Sequence, residues 1–133
     1  LFISKNIAMY RFLVYVIIGS SIGGVARFLS QEFVQKKFPS FIPLGTLSVN
    51  VIGCFIIGII YAFAERSKIS AEVRILIATG FCGGFTTFSS FAFENVKLLQ
   101  DGEFFNAALY VVLSLVIGFA AVYLGILFTK LIF

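Results

Sequence analysis

The sequence predicts an all-α integral membrane protein with four transmembrane helices per chain. Of its 133 residues, 60% are hydrophobic and 12% are charged, and the mean hydropathy is +1.08. Soluble domains carry about 25% charged residues, so this chain lacks the polar surface that a water-soluble fold needs. Its ionisable residues also lie almost entirely between four long apolar segments.

The four segments are long enough to cross a bilayer, which takes about 20 mostly apolar residues. The first contains one charged residue, Arg27, and the other three contain none. Lys5 and Arg11 ahead of the first segment also resemble the start of a cleaved signal peptide, but apolar character continues to Phe28, which favours a membrane span. The predicted spans, which make one transmembrane domain over residues 1–133, are Phe12–Leu29, Pro43–Ala64, Ile75–Phe93 and Phe104–Thr129.

The composition argues against several classes of function. The chain has no His, which excludes imidazole metal sites and Ser-His triads. Its only thiols, Cys54 and Cys82, are too few for a disulfide scaffold or a four-thiolate zinc site. The basic residues are scattered, so nucleic acid is not an expected partner. Since no nucleophile–base pair or acid pair lies within the spans, an enzyme is not expected either.

The distribution of basic residues gives only a weak signal for orientation. Four spans place the N-terminus, the second connector and the C-terminus on one side, with six Lys and Arg residues against four on the other. Because this difference is small for the positive-inside rule, the chain could insert in both orientations and pair with an antiparallel copy of itself. The alternative is a single orientation with the more basic side in the cytoplasm, which charge counting alone slightly favours.

The third span contains a run of small and hydroxyl residues that predicts a broken helix. Gly83 and Gly84 each lower helix propensity by about 1 kcal/mol, and the Thr and Ser residues that follow are typical of helix caps. We therefore expect one helix to end near Gly83 and another to begin near Thr87, inside the bilayer. At such a break, free carbonyls can bind a cation and the second helix N-terminus favours an anion. The alternative is a continuous helix whose small residues permit close packing, as Gly19 and Gly23 do in the first span.

Two other spans carry neutral polar residues at helical spacing. Asn50 lies one turn after Thr46 in the second span, and Ser114 lies one turn after Tyr110 in the fourth, so each pair shares a helical face. Hydroxyls and amides can donate hydrogen bonds to an anion. They can equally join neighbouring helices, at about 0.6 kcal/mol per contact. No carboxylate lies within the spans, which weakens the case for an exchanger coupled to a buried acid.

Phe88 and Phe91 lie three residues apart and share a helical face just after the predicted break. The edge of a Phe ring is positive, so a row of ring edges can line an anion path without a fixed charge. In a chain with eighteen Phe residues, packing or lipid exposure is the ordinary role of each. The break that precedes this pair favours the functional interpretation.

These motifs resemble those of the small fluoride channels, the Fluc or CrcB-type family. The matching pieces occur in order in all four spans, and the most specific is the Gly-Gly-Phe-Thr-Thr-Phe-Ser-Ser-Phe run at residues 83–91. The other pieces are residues 23–28, residues 43–46, residues 49–53, Glu94, and Tyr110 with Ser114.

The resemblance implies a fluoride-selective channel that exports fluoride passively across the cell (inner) membrane and so gives fluoride resistance. It implies a dual-topology homodimer in which two antiparallel subunits form two pores in the lipid bilayer. It also implies a structural Na+ at the dimer centre, bound through the backbone carbonyls of Gly83 and Thr86. The anion pathway that it implies consists of Phe88, Phe91, Asn50, Tyr110, Ser114 and Thr87, with the charges of Arg27 and Glu94 near the pore mouths.

Two other functions remain open. A small multidrug-type exchanger would share the four helices and the antiparallel pairing, but it should carry a Glu inside the first span, and Phe12–Leu29 has none. A non-transporting membrane subunit would explain the glycine-rich packing faces, and it predicts no ion flux from the purified chain.

Overall fold

The computed structural model describes residues 2–132, and the side chains of residues 6–132. Lys5, which contributes to the predicted charge count, lies outside the described side chains. Within this part of the chain, four helical spans are long and apolar enough to cross a membrane, and no strand forms. The predicted all-α membrane class is therefore confirmed.

Most helices extend beyond the apolar segments that predicted them. The first helix begins well before the predicted span and continues eight residues past it, because Gln, Glu and Lys are good helix formers and no proline occurs before Pro39. The helices are α1 (Phe2–Lys37), α2 (Leu44–Glu65), α3 (Ala71–Arg74), α4 (Gly83–Phe85), α5 (Phe88–Gln100) and α6 (Phe104–Ile132). A π-helical segment, Ile75–Cys82, joins α3 to α4.

The third span, which runs from α3 to α5, is broken as predicted, but the first half ends two residues later than expected. Gly83 is still helical, with φ −61° and ψ −37°, and the helix continues to Phe85. Thr86 and Thr87 are extended, with φ and ψ of −91° and 159° and of −152° and 114°. The chain then returns to a helix at Phe88. The break therefore consists of two threonines and not of the glycines.

Of the two glycines, Gly84 serves helix packing, whereas a Cβ on Gly83 would meet nothing within 4 Å. A Cβ on Gly84 would lie 2.5 Å from the carbonyl oxygen of Ser20 on α1. From the other side, Gly23 of α1 lies equally close to the third span, since a Cβ added to it would meet the backbone of Phe81. The expectation that the helix ends near Gly83 was wrong in this detail: the helix continues to Phe85, and the missing side chain of Gly84 allows its backbone to touch α1.

The spans pack in two non-consecutive pairs. α1 makes most of its contacts with the third span, and α2 makes most of its contacts with α6. In the second pair, Gly58 and Gly125 face each other, and a Cβ on Gly58 would lie 3.2 Å from the Gly125 Cα. The largest fully buried side chains are Tyr110, Val49, Thr129 and Cys82. Because α1 is packed on one side only, its other faces remain exposed apolar surface.

Candidate functional site

Asn50, in the middle of α2, forms two hydrogen bonds with the break of the third span. The backbone amide of Thr87 donates a hydrogen bond to Asn50 Oδ1 at 2.8 Å, and Asn50 Nδ2 donates one to the Thr87 carbonyl at 3.1 Å. One side chain thus satisfies both backbone groups of an extended residue at membrane depth, where water cannot do so.

Thr87 also starts the second half of the span. Its hydroxyl oxygen accepts a hydrogen bond from the Ser90 amide at 3.1 Å and caps α5. The same hydroxyl lies 3.1 Å from Ser90 Oγ and 3.2 Å from Ser89 Oγ. Three hydroxyls therefore cluster at the N-terminus of α5, where the helix dipole favours negative charge.

Two backbone amides at the break bond to side chains, which leaves two carbonyl groups without their usual helical donors. In a continuous helix, the Thr87 amide would bond to the Gly83 carbonyl and the Ser90 amide to the Thr86 carbonyl. Both amides are bound to side-chain oxygens instead. Gly83 and Thr86 consequently present backbone oxygens at the break, the donor type that membrane proteins use for Na+ at unwound helices. No cluster of three or more His, Cys, Asp or Glu side chains suited to a metal occurs among the described residues.

A cleft of about 290 Å³ opens beside the break, between α2 and α6. It brings together Asn50, Thr87 and Phe88 from the predicted pathway with Thr86 from the predicted Na+ site. The ring of Phe88 is 78% exposed on the single chain. The rest of the lining is Gly53, Cys54, Ile57 and Val122.

A second cleft, of about 280 Å³, lies toward the end of α1 and the start of α2. Its polar lining includes Gln31, Thr46, Ser90 and Glu94. The Thr87 hydroxyl lines the first cleft and bonds to the Ser90 hydroxyl of the second. The hydroxyl groups at the cap of α5 therefore lie between the two clefts.

Glu94 lies in the second cleft and accepts two hydrogen bonds. Thr46 Oγ1 donates to its Oε1 at 2.7 Å, and the Tyr110 hydroxyl donates to its Oε2 at 2.8 Å. No Lys or Arg forms an ion pair with it among the described residues. The family resemblance implied that Glu94 lies near a pore mouth and Tyr110 in the pathway, and the two are in direct contact in the structure.

A row of aromatic rings leads from the first cleft to this carboxylate. The rings of Phe88 and Phe91 are 5.8 Å apart and tilted by 47°. Phe91 meets Tyr110 edge-on, with centroids 5.0 Å apart and an interplanar angle of 68°. One turn along α6 from Tyr110, the hydroxyl oxygen of Ser114 is buried and has no hydrogen-bond partner within the described part of the chain. A buried hydroxyl without a partner is rare in native structures.

Arg27 is the predicted residue that the structure leaves apart from the others. Its side chain is half-buried on α1, and it makes no ion pair among the residues that the structure describes. Gln31, one turn further along α1, was not predicted but bonds to Thr46 Oγ1 at 3.0 Å. Its spacing from Arg27 on one helical face was the available signal.

Asn95, beside Glu94, was not predicted either. Its Nδ2 donates to the Phe91 carbonyl at 2.9 Å. Its buried Oδ1 has no partner among the described residues. The sequence offered no clear signal for it, because Asn95 lies among other polar residues of α5.

The chain is similar to proteins named fluoride-specific ion channel FluC. It is 41% identical over 118 residues to one from Gloeothece citriformis, which covers 89% of this chain and 96% of that protein. It is 47% identical over 113 residues to one from a Shewanella species, which covers 85% of this chain and 91% of that protein. It is 42% identical over 122 residues to one from Campylobacter jejuni, which covers 92% of this chain and all of that protein.

The model of one protein family spans most of the four-helix chain. That family is described as CrcB-like protein, Camphor Resistance (CrcB), and the match covers residues 14–126, from α1 to α6. It includes the break and every residue placed in the two clefts. The chain therefore belongs to the CrcB-like protein family.

Proposed function

We propose that the chain is a fluoride-specific channel that lets fluoride leave the cytoplasm passively and so gives fluoride resistance. The observation that carries the proposal is the hydroxyl cluster at the α5 cap, which lies between the two clefts, together with the row of rings that runs from the first cleft toward Glu94. The lining offers an amide, hydroxyls and ring edges, all of which can face an anion. The choice of fluoride over chloride rests on the names of the relatives, since these groups alone do not distinguish the two ions.

In this mechanism fluoride exchanges water for neutral donors and does not bind a fixed cation. A cell interior at about −100 mV drives a monovalent anion outward by about 2.3 kcal/mol. No pump is then needed to remove fluoride that enters the cytoplasm as neutral HF. Phe88, Phe91, Asn50, Tyr110, Ser114 and Thr87 are the proposed pathway residues, with Arg27 and Glu94 near its mouths.

The proposed assembly is an antiparallel homodimer with two pores in the cell (inner) membrane. The Phe88 ring, which is exposed although it lines the first cleft, supports a partner that would cover it. Charge supports the antiparallel arrangement. The segments on one side of the membrane carry six basic and two acidic residues, and those on the other side carry four of each. An antiparallel pair would present one end of each kind on both faces, so both mouths would attract anions.

A structural Na+ is the proposed ligand of the carbonyls at the break. The Gly83 and Thr86 oxygens lose their helical donors and fit a hard cation. Bound there, the ion would neutralise carbonyl charge from both subunits. We expect replacement of Na+ by N-methylglucamine to lower the temperature at which the purified dimer dissociates. A midpoint that is identical in both salts would contradict the site.

The proposed function is tested by fluoride efflux from liposomes that contain only the purified chain, measured with a fluoride electrode. Parallel vesicles are loaded with chloride. Rapid fluoride release with little chloride release would support the channel. No release of either ion from folded, dimeric protein would contradict it and favour a non-transporting membrane subunit. Proton-coupled drug uptake without fluoride release would favour the multidrug-type exchanger.

A further inference from the structure

Four side chains from four helices form a directed chain of hydrogen bonds in the second cleft. Gln31 Nε2 lies 3.0 Å from Thr46 Oγ1, which lies 2.7 Å from Glu94 Oε1, and Tyr110 approaches Oε2 at 2.8 Å. A side-chain amide nitrogen can only donate, and a threonine hydroxyl has one proton. Because Gln31 donates to its oxygen, Thr46 keeps that proton for Glu94.

The contact between α1 and α2 fixes Gln31 in this position. A Cβ on Gly45 would lie 2.8 Å from the Gln31 carbonyl oxygen and 3.2 Å from its Cα, so the two backbones touch there. Thr46, the next residue of α2, is 3% exposed. The amide of Gln31 therefore reaches a buried hydroxyl from a backbone that has little freedom to move.

Without Gln31, the Thr46 hydroxyl has a competing partner. Ser and Thr hydroxyls in helices readily bond to the carbonyl three or four residues earlier. Five hydroxyls among the described residues do so. Ser48 Oγ bonds to the Gly45 carbonyl at 2.8 Å, for example, and Thr129 Oγ1 bonds to the Ile126 carbonyl at 2.7 Å. Thr46 instead directs its proton away from its own helix.

We propose that Gln31 is a positioning residue for anion conduction, which acts by directing the Thr46 hydroxyl onto Glu94. The proposal rests on the proposed channel function. With both donors in place, the carboxylate is held at its two oxygens beside the pathway. With one donor lost, the carboxylate is free to rotate toward the hydroxyls of the α5 cap, where its charge would repel an anion.

The test is a mutant cycle measured as fluoride efflux from liposomes. We expect Gln31→Met, which keeps the length of the side chain but cannot donate, to lower the flux about tenfold. Thr46→Val should lower it at least as much. The double variant should be no slower than Thr46→Val, because Gln31 acts only through that hydroxyl. The matched control is Gln100→Met, the same change at an exposed position at the end of α5 and outside both clefts. Its flux should stay within about twofold of the unmodified chain.

A second variant keeps the proposal falsifiable if Gln31→Met does not yield a folded dimer. Gln31→Glu has the same length but would accept the Thr46 proton and withdraw it from Glu94, so it should lower the flux at least as much. Unchanged flux in either folded variant would overturn the proposal. Losses that multiply in the double variant would also overturn it, by showing that Gln31 acts independently of Thr46. Absence of flux in the unmodified chain would instead contradict the proposed function.

Discussion

At the break, single side chains form the hydrogen bonds that backbone groups form with one another in a regular helix. Asn50 satisfies the amide and the carbonyl of Thr87, and the Thr87 hydroxyl satisfies the Ser90 amide. The resulting geometry displays Phe88 in one cleft and Ser90 in the other. The position of the pathway residues therefore depends on a few polar contacts between α2 and the third span.

Loss of the Asn50 contacts should destabilise the protein. Asn50→Leu would leave a backbone amide and a carbonyl without partners, and each unsatisfied buried group costs about 1–3 kcal/mol. We expect a lower midpoint in heated detergent samples followed by size-exclusion chromatography, together with reduced fluoride flux. Ser48→Ala is the control, because the Ser48 hydroxyl bonds only within its own helix. Equal midpoints for the two variants would contradict this role of Asn50.

The aromatic pair should affect transport more than folding. Phe88→Leu and Phe91→Leu remove the ring edges that the proposed pathway uses but keep apolar volume, so we expect at least a tenfold loss of fluoride efflux from dimers that remain folded. Phe93→Leu is the control, since that ring is on the same helix and 70% exposed. Unchanged efflux in both Phe88 and Phe91 variants would count against an aromatic pathway.

Among the helices, the pairing of α2 with α6 depends on glycines that allow the backbones to touch. A Cβ on Gly125 would meet the Phe55 carbonyl and would lie 3.0 Å from the Ile59 amide nitrogen. A Cβ on Gly118, on the same helix, would meet only the Cys54 sulfur at 3.7 Å, an ordinary contact. The two positions therefore differ in the space available for one methyl group.

We expect Gly125→Ala to destabilise the protein by about 1–3 kcal/mol, as overpacking of a tight core does. Gly118→Ala should change stability by much less. Thermal dissociation in detergent measures both variants under the same conditions. If Gly125→Ala were as stable as Gly118→Ala, close contact of the two backbones would not be what holds α2 to α6.

The elements were more predictable from the sequence than the site. The apolar segments predicted four spans, and the capping residues around Thr87 predicted a break, because both features are local. The packing role of Gly84 was foreseen only in the alternative of a continuous helix, because its partner on α1 is distant in the sequence. Gln31 was missed for the same reason, since it lies outside the apolar segment and its partner is fifteen residues away.

At the scale of the whole molecule, the small difference in basic residues between the two sides of the membrane permits insertion in both orientations, which the proposed antiparallel dimer requires. Ser67 lies between α2 and α3, is exposed and suits this test. We expect a maleimide that cannot cross the membrane to label about half of a Ser67→Cys chain in sealed vesicles that retain one orientation. Lysed vesicles should label fully. Labelling near zero or near completion in sealed vesicles would establish a single orientation and contradict the antiparallel dimer.

The pairing of α1 with the third span and of α2 with α6 has a consequence for biosynthesis. Gly23 and Gly84 lie 61 positions apart in the chain, which corresponds to about 3–12 s of translation at about 5–20 residues per second. Each early helix must therefore enter the membrane before its main partner has been made. During that interval the glycine faces of α1 and α2 face lipid, an insertase or each other. The four-helix subunit can close only after α6 leaves the ribosome.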